Sequence, residues 1–488
     1  MPIADHVARA REEGSIIATA VKLSDATSEL NLTTDPIPRL IRRIAIPASV
    51  GMIFNTMYNI VDTYFGQFLA TEGLAALSLS FPLFFVIIAS GSGIATGATA
   101  LISNALGSGN QELARRYQVQ AISFGVIASI VLTVLGLLVA ESAYRFMGAN
   151  DLVLTLGMSY MRVILLGTGF FLLNAIVNAG LTSRGDTKSY RNVLFIGMIL
   201  NIGLDPLFLF GFAPLGIPAM GAAGIALATV VVQGVSLGYM LLRARRARSC
   251  AGMRFRDYLP QRTFFREIAV QGIPASLNMM TVALGMFVIN FFIARNGSTE
   301  GLAAYGVALR IEQIALLPSA GLHTAMLTLV GNNFGAGRFE RIRETYRTTL
   351  LYGLVVMVVS LGIILPLAGV LMRQFTTDPL VVAMGRRYLY IEGLVYYAYV
   401  VLFGSVSFMQ GLKRPMPAIY VGLYRQLIAP PLVFFLFAEV FGWGLDGIWW
   451  GIFAVTWSAA LVSLVWSRAV FNQLAGPKGE IAIAPVEG

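Results

Sequence analysis

The chain has 488 residues, 57% of them hydrophobic and only 12% charged, with a formal net charge of +10. A soluble domain holds roughly 25% charged residues; the composition and a mean hydropathy of +0.73 exclude one and point to an integral membrane protein. A single cysteine, Cys250, excludes an intrachain disulfide or a cysteine-held metal cluster, and two histidines, His6 and His323, exclude a multi-histidine metal site. Taken in chain order, residues 1–38 lack an apolar core with a small-residue cleavage site, so no signal peptide is expected. They read as a cytoplasmic N-terminal tail with room for a short amphipathic helix.

Apolar runs of about 20 residues or more follow, each long enough to cross a bilayer as a helix. Splitting them at charges, Gly and Pro gives twelve spans, near 40–69, 74–103, 117–141, 153–181, 191–211, 220–242, 266–294, 301–331, 344–372, 380–411, 415–439 and 443–467. The basic residues alternate with that count. Arg115 and Arg116, then Arg184, Lys188 and Arg191, then Arg338, Arg341, Arg343 and Arg347, then Lys413 and Arg414 fall on one side. The stretch "RARRARSCAGMRFRDYLPQRTFFRE" adds eight arginines there. The other side holds Arg145, Arg295 and Arg373. Cytoplasmic loops collect Lys and Arg, so both termini are expected in the cytoplasm and the pI of 9.8 needs no nucleic acid partner.

The chain repeats itself. "IPASVGMIFN" at Ile46 matches "IPASLNMMTV" at Ile273, "TEGLAALSLS" matches "TEGLAAYGVA", and "ALGSGNQELARRYQ" matches "NFGAGRFERIRETYR", at an offset of 227 or 228 residues. Six spans per copy is an even number, so both copies enter the membrane from the same side as parallel halves about an axis along its normal. The expected fold is all-α and integral to the membrane: a first lobe at 39–242, a basic cytoplasmic linker at 243–265, a second lobe at 266–470, and a C-terminal tail at 471–488. Two such six-helix bundles leave a cleft that rocking exposes to each side in turn. The glycine pairs at 107–109 and 335–337 follow no strand and lack the phosphate-loop lysine, so they read as tight cytoplasmic turns.

Ionisable residues inside these spans are the candidate functional residues. A mid-membrane carboxylate costs about 2.5–3.5 kcal/mol on insertion scales, so it persists for function or with a partner. Asp62 has no basic residue in its own span, and Tyr58 lies four residues before it on the same helix face. Asn201 and Asp205 repeat that spacing in the fifth span. Asp62 lies 19 residues beyond Arg43 and Asp205 lies 14 beyond Arg191, which at ~1.5 Å per residue puts both in the outer half of the membrane, level with Thr229. Two carboxylates at one depth suit the uptake of a proton, and with amide and hydroxyl oxygens beside them they suit Na+ as well. Pro47 and Pro206 permit bends in the helices that carry them. The second half has no matching aspartates. It holds Arg310, Glu312, Glu392 and Arg425, with Glu312 and Arg425 near mid-membrane, expected either as a structural salt bridge or as a substrate contact.

The stretches "YNIVDTYFGQF", "ALGSGNQELARRY", "GLTSRGDTKSYRNV", "NIGLDPLF", "GAAGIALATVV" and "LRIEQIALLPSAG" resemble the multidrug and toxic compound extrusion (MATE) family, in its bacterial and archaeal DinF-like branch, over residues 38–470. The resemblance implies a V-shaped pair of six-helix bundles in the bacterial inner membrane, expected as a monomer without a cofactor, exporting lipophilic organic cations against entering H+ or Na+. It implies coupling at Asp62 and Asp205, with Tyr58, Asn201 and Thr229 around them, a further polar site at Tyr160 and Asn178, and a helix bend at Pro47. The acidic residues that another branch uses in the seventh helix are absent from "ASLNMMTVALGMFVINFFIA". A flippase for lipid-linked saccharides is the alternative on a related fold, with Arg162, Arg310 and Arg425 as its phosphate contacts. A membrane enzyme lacks any general-base or metal constellation here, and a passive channel has no need of the duplication.

Overall fold

Residues 31–69 and 71–475 are described by a computed structural model. The first 30 residues, with the expected tail helix, and residues 476–488 lie outside the described residues. The first half comprises α1 (Ile37–Gly66), α2 (Thr71–Gly107), α3 (Gln111–Phe146), α4 (Asp151–Leu166), α5 (Thr168–Thr182), α6 (Lys188–Phe210) and α7 (Ala222–Arg246). The second comprises α8 (Arg262–Asn296), α9 (Thr299–Gly335), α10 (Phe339–Arg373), α11 (Pro379–Gly393), α12 (Tyr396–Gly411), α13 (Met416–Leu423), α14 (Ala429–Phe434) and α15 (Gly444–Ala475). No strand occurs among the described residues.

Local chemistry sets the helix ends. Pro38 sits in the first turn of α1, where its fixed φ helps and its missing N–H costs nothing. Asn110 caps α3 by accepting from the Leu113 amide at 2.9 Å, and Asp378 caps α11 by accepting from the Leu380 amide at 2.8 Å. The two glycine turns need left-handed backbone at Gly109 (φ 78°) and Gly337 (φ 67°), as their sequences suggested.

Ten segments are long and apolar enough to cross a membrane alone, and two bent helix pairs bring the number to twelve. The bent pairs correct the sequence reading, which has the fourth and tenth spans continuous. α4 and α5 meet at 42° and α11 and α12 at 50°. The breaks fall at Gly167 and just after Gly393, where a Cβ would run into Val230 and Leu361 respectively. The eleventh span is also irregular. It widens into π-helical turns at Tyr424–Ile428 and Phe435–Val440, on either side of Pro430 and Pro431, which donate no backbone hydrogen bond.

The helices form two bundles with separate apolar cores. One gathers Ile94, Leu101, Tyr144, Ile164 and Leu172 from α2–α5, and the other Tyr305, Met357, Tyr388, Phe434 and Trp449 from α9–α15. The bundles meet mainly through α2 against α8 and α9 against α1, two contacts that the repeat exchanges. Ile37, Leu40, Ile41 and Ile44 of α1 seal against Leu322, Ala325 and Leu329 of α9. Further along α1, Met57, Ile60 and Tyr64 are exposed, as is Phe68 just beyond its end. Among the described residues, the hydrogen bonds between bundles all lie toward the basic loops. The two bundles thus form a V that is joined at that face and parts at the other.

Candidate functional site

Three helices bring the first-half polar residues together. α1 supplies Tyr58 and Asp62, α6 supplies Asn201 and Asp205, and α7 supplies Thr229. α1 packs against α6 and α6 against α7, so the i, i+4 pairs expected from the sequence face one another. Asp62 lies against Asp205 and Asn201, and Tyr58 faces Thr229 and Asp62. Asn201 and Asp205 are both 0% exposed. The Asn201 amide donates to Asp205 Oδ1 at 2.9 Å, and the Thr229 hydroxyl donates to the Ile225 carbonyl at 3.1 Å. No arginine or lysine is paired with either aspartate among the described residues.

The arrangement leaves oxygen atoms unused. Tyr58 Oη, Asp62 Oδ1, Asn201 Oδ1 and Asp205 Oδ2 are all buried without a hydrogen-bond partner. Buried polar groups are rarely left so, and four converging on one spot make a cluster of hard oxygen donors with two carboxylates. That chemistry fits a proton or Na+. No group of three or more His, Cys, Asp or Glu occurs among the described residues, which leaves amide and hydroxyl oxygens as the additional donors.

The cluster borders a cavity of about 550 Å³. Tyr58, Asp62, Tyr160, Asn178 and Thr229 line it, along with Phe81, Phe84, Phe85 and Phe171, while Met279, Thr324 and Leu327 of the second bundle lie at its edge. Asp62 is the one charged residue of the lining. Asn178 lies one turn before Thr182, at the end of α5 nearer the basic loops, and accepts from the Thr182 hydroxyl at 3.2 Å. It shares the cavity with Asp62 without joining the cluster. The sequence reading missed Asn174, which donates to the Gln233 carbonyl at 2.8 Å and to its side-chain Oε1 at 2.9 Å. Both residues line the cavity. Their signal was present as two i, i+4 pairs, Asn174 with Asn178 and Thr229 with Gln233. Pro47 lies buried within α1, which runs through it as one helix.

The second-half residues assemble differently. Glu312 accepts from the Tyr388 hydroxyl at 2.7 Å, and Glu392 accepts from the Tyr399 hydroxyl at 3.0 Å. The expected Glu312–Arg425 salt bridge does not form: Arg425 lies over the rings of Tyr399 and Phe403, 5.5 Å from each centroid. The π-helical turn that carries Arg425 aims it at this aromatic pair, and the Tyr388 hydroxyl takes the place of the guanidinium at Glu312.

Two parallel six-span bundles around a buried carboxylate cluster and a large cavity suit a transporter. A family model described as MatE matches residues 47–207 and again 274–435, one match for each half. The chain belongs to the MatE family of membrane transporters. It is 27% identical over 403 residues to the "FAD transporter" of Shewanella oneidensis, covering 81% of this chain and 87% of that one. It is 25% identical over 416 residues to "Probable multidrug resistance protein NorM" of Thermotoga maritima, covering 84% and 88%. The structure described as "Outward-facing conformation of a multidrug resistance MATE family transporter of the MOP superfamily" superposes with a TM-score of 0.85 at 25% identity, covering 92% of this chain and 99% of that one.

Proposed function

We propose that the protein is a secondary active exporter that couples the entry of H+ or Na+ to the efflux of lipophilic, mostly cationic organic compounds. The four unpartnered buried oxygens at Tyr58, Asp62, Asn201 and Asp205 carry this reading. An uncompensated carboxylate pair in a poorly solvated place favours whatever cation neutralises it. In this reading the ion and the drug compete for one lobe. The drug rests among the cavity phenylalanines with its positive charge toward Asp62, where aromatic faces also attract cations. The ion instead fills the oxygen cluster, cancels that attraction and frees the drug on the open side.

Residues 39–242 and 266–470 act as the two rocking lobes, joined by the basic linker at 243–265, with both termini cytoplasmic. α1 transmits the ion's arrival, because it carries Asp62 and packs on both α6 and α9. Pro47 is the point at which it yields. The chain works in the inner membrane as a monomer.

A flavin dinucleotide, the cargo named for the Shewanella oneidensis relative, and a lipid-linked saccharide both bring phosphates. The cavity lining includes neither Arg162, Arg310 nor Arg425, which favours a cationic cargo over these anionic ones.

The deciding experiment is efflux of ethidium from vesicles holding the purified protein, under a proton gradient alone and then a sodium gradient alone. One gradient should drive accumulation against concentration, and Asp62→Asn should abolish it. Accumulation under neither, or full activity of Asp62→Asn, overturns the proposal.

A further inference from the structure

Four of the hydrogen bonds that join the bundles form two exchanged pairs. Asn104 in α2 donates one Nδ2 hydrogen to the Ala100 carbonyl of its own helix at 2.7 Å and the other to the Gly411 carbonyl across the interface at 2.9 Å. Asn332 in α9 divides its amide the same way, to the Thr328 carbonyl at 2.9 Å and across to the Ser183 carbonyl at 3.1 Å. Donors, near acceptors and far acceptors all stand 228 residues apart: 104 and 332, 100 and 328, 183 and 411. A second pair lies deeper. Ser49 donates to the Pro318 carbonyl at 2.9 Å, and the Ser276 hydroxyl is shared between the Gly272 carbonyl of its own helix at 3.1 Å and the Ser90 carbonyl across the interface at 3.3 Å; donors and far acceptors are offset by 227 and 228 residues.

The glycines follow the same exchange. A Cβ at Gly107 would run into the Asn332 carbonyl, and one at Gly335 into the Asn104 carbonyl. One at Gly93 would meet Ser276, and one at Gly321 would meet Ser49. Each donor therefore sits where the opposite bundle has no side chain.

The far acceptors are helix-end carbonyls. Gly411 is the last residue of α12, and the residue four further on is Pro415, which has no N–H. Ser183 closes α5. Such carbonyls need an outside donor, and here each asparagine caps a helix of the opposite bundle. The groups are dry: Asn104 is 6% exposed, Asn332 4% and Ser183 0%. Parting the bundles on this face strips both caps at once.

We propose that Asn104 and Asn332, with Ser49 and Ser276 behind them, form a two-fold latch that holds the basic face of the transporter shut, and that their joint release opens it. The latch rests on the rocking motion proposed above and adds the residues that set its balance. All four latch side chains are neutral, so closure is separate from ion sensing at Asp62. Because the repeat exchanges the two halves, neither latch stays made while the other breaks.

The test uses the full chain in liposomes with Cys250→Ala, carrying spin labels at Ser108 and Ala336, the tips of the two glycine turns. Pulsed electron paramagnetic resonance reads the ratio of long to short distances between them. Asn104→Ala and Asn332→Ala should each raise that ratio about fivefold, the worth of one hydrogen bond, and the double variant about 25-fold. Gly107→Ala should shift it in the same direction while deleting no hydrogen-bonding group. Gly238→Ala, with nothing within 4 Å of its added carbon, should leave it unchanged. If the double variant does not fold, the single variants and Gly107→Ala decide. Unchanged ratios in both asparagine variants and in Gly107→Ala overturn the latch and leave the export reading standing. Efflux that survives a disulfide between cysteines placed at 108 and 336 overturns the rocking motion instead.

Discussion

The two lobes share one scaffold and surround their buried acids with different partners. In the first, Asp62 and Asp205 meet with two carboxylate oxygens and the Tyr58 hydroxyl left unpartnered. In the second, the Tyr388 and Tyr399 hydroxyls donate to Glu312 and Glu392, a cation, Arg425, stands over the neighbouring rings, and Glu392 Oε2 and the Tyr396 hydroxyl are left without a partner. Both clusters lie beside the bend in the fourth or tenth span, so duplication preserved the place for a polar site and not its contents. The difference teaches where to look for work. Glu312 and Glu392 are held by tyrosine donors and lie outside the cavity lining, whereas Asp62 has no such donor and faces the cavity, so transport chemistry is sought first at Asp62.

That contrast breaks most sharply at the aspartates. Asp62→Asn and Asp205→Asn are expected to insert and fold, because each removes a charge already uncompensated, yet dye export should fall to the background of empty vesicles. Tyrosine deletions come next. Tyr388→Phe leaves Glu312, 5% exposed, without its 2.7 Å donor. It should lower stability by about 1–3 kcal/mol, read as a drop in the thermal unfolding midpoint in detergent. Tyr58→Phe, whose hydroxyl has no partner, should leave that midpoint nearly unmoved while weakening ion-driven export. A midpoint lowered more by Tyr58→Phe than by Tyr388→Phe would reverse the assignment of roles. Arg425→Ala removes a cation held over two rings at 5.5 Å and should cost about 1 kcal/mol on the same measurement.

Much of the first cluster was legible beforehand because its information is local. Tyr58 with Asp62 and Asn201 with Asp205 are i, i+4 pairs, helix rise gives their depth, and the absence of a nearby basic residue is visible by inspection. The second cluster was less so, because one of its bonds is long-range and the other, between Tyr399 and Glu392 seven residues apart, spans the helix break after Gly393. Glu312 and Tyr388 are 76 residues apart, and the break after Gly393 that turns Tyr396 and Tyr399 inward follows from how closely Leu361 approaches. The Glu312–Arg425 bridge, one of the two readings of these residues, does not form because the π-helical turn at Tyr424–Ile428 carries the arginine toward the aromatic rings. The exchanged asparagines lay in plain view as matched positions of the repeat. Nothing in one copy alone says that its amide reaches a carbonyl of the other.

The finest division lies inside the first lobe, between the carboxylate cluster and the rest of its cavity. Asn178 lines the same cavity as Asp62, but its side-chain oxygen is already engaged by Thr182 at 3.2 Å and its helix neighbour Asn174 binds Gln233. If that end of the cavity holds cargo and the Asp62 end holds the ion, Asn178→Ala removes one hydrogen-bonding contact to the drug. The half-saturating drug concentration should rise about fivefold, the worth of one hydrogen bond, with the ion dependence of transport unmoved. An Asn178→Ala variant with a changed ion dependence and an unchanged drug affinity would instead merge the two ends into one site.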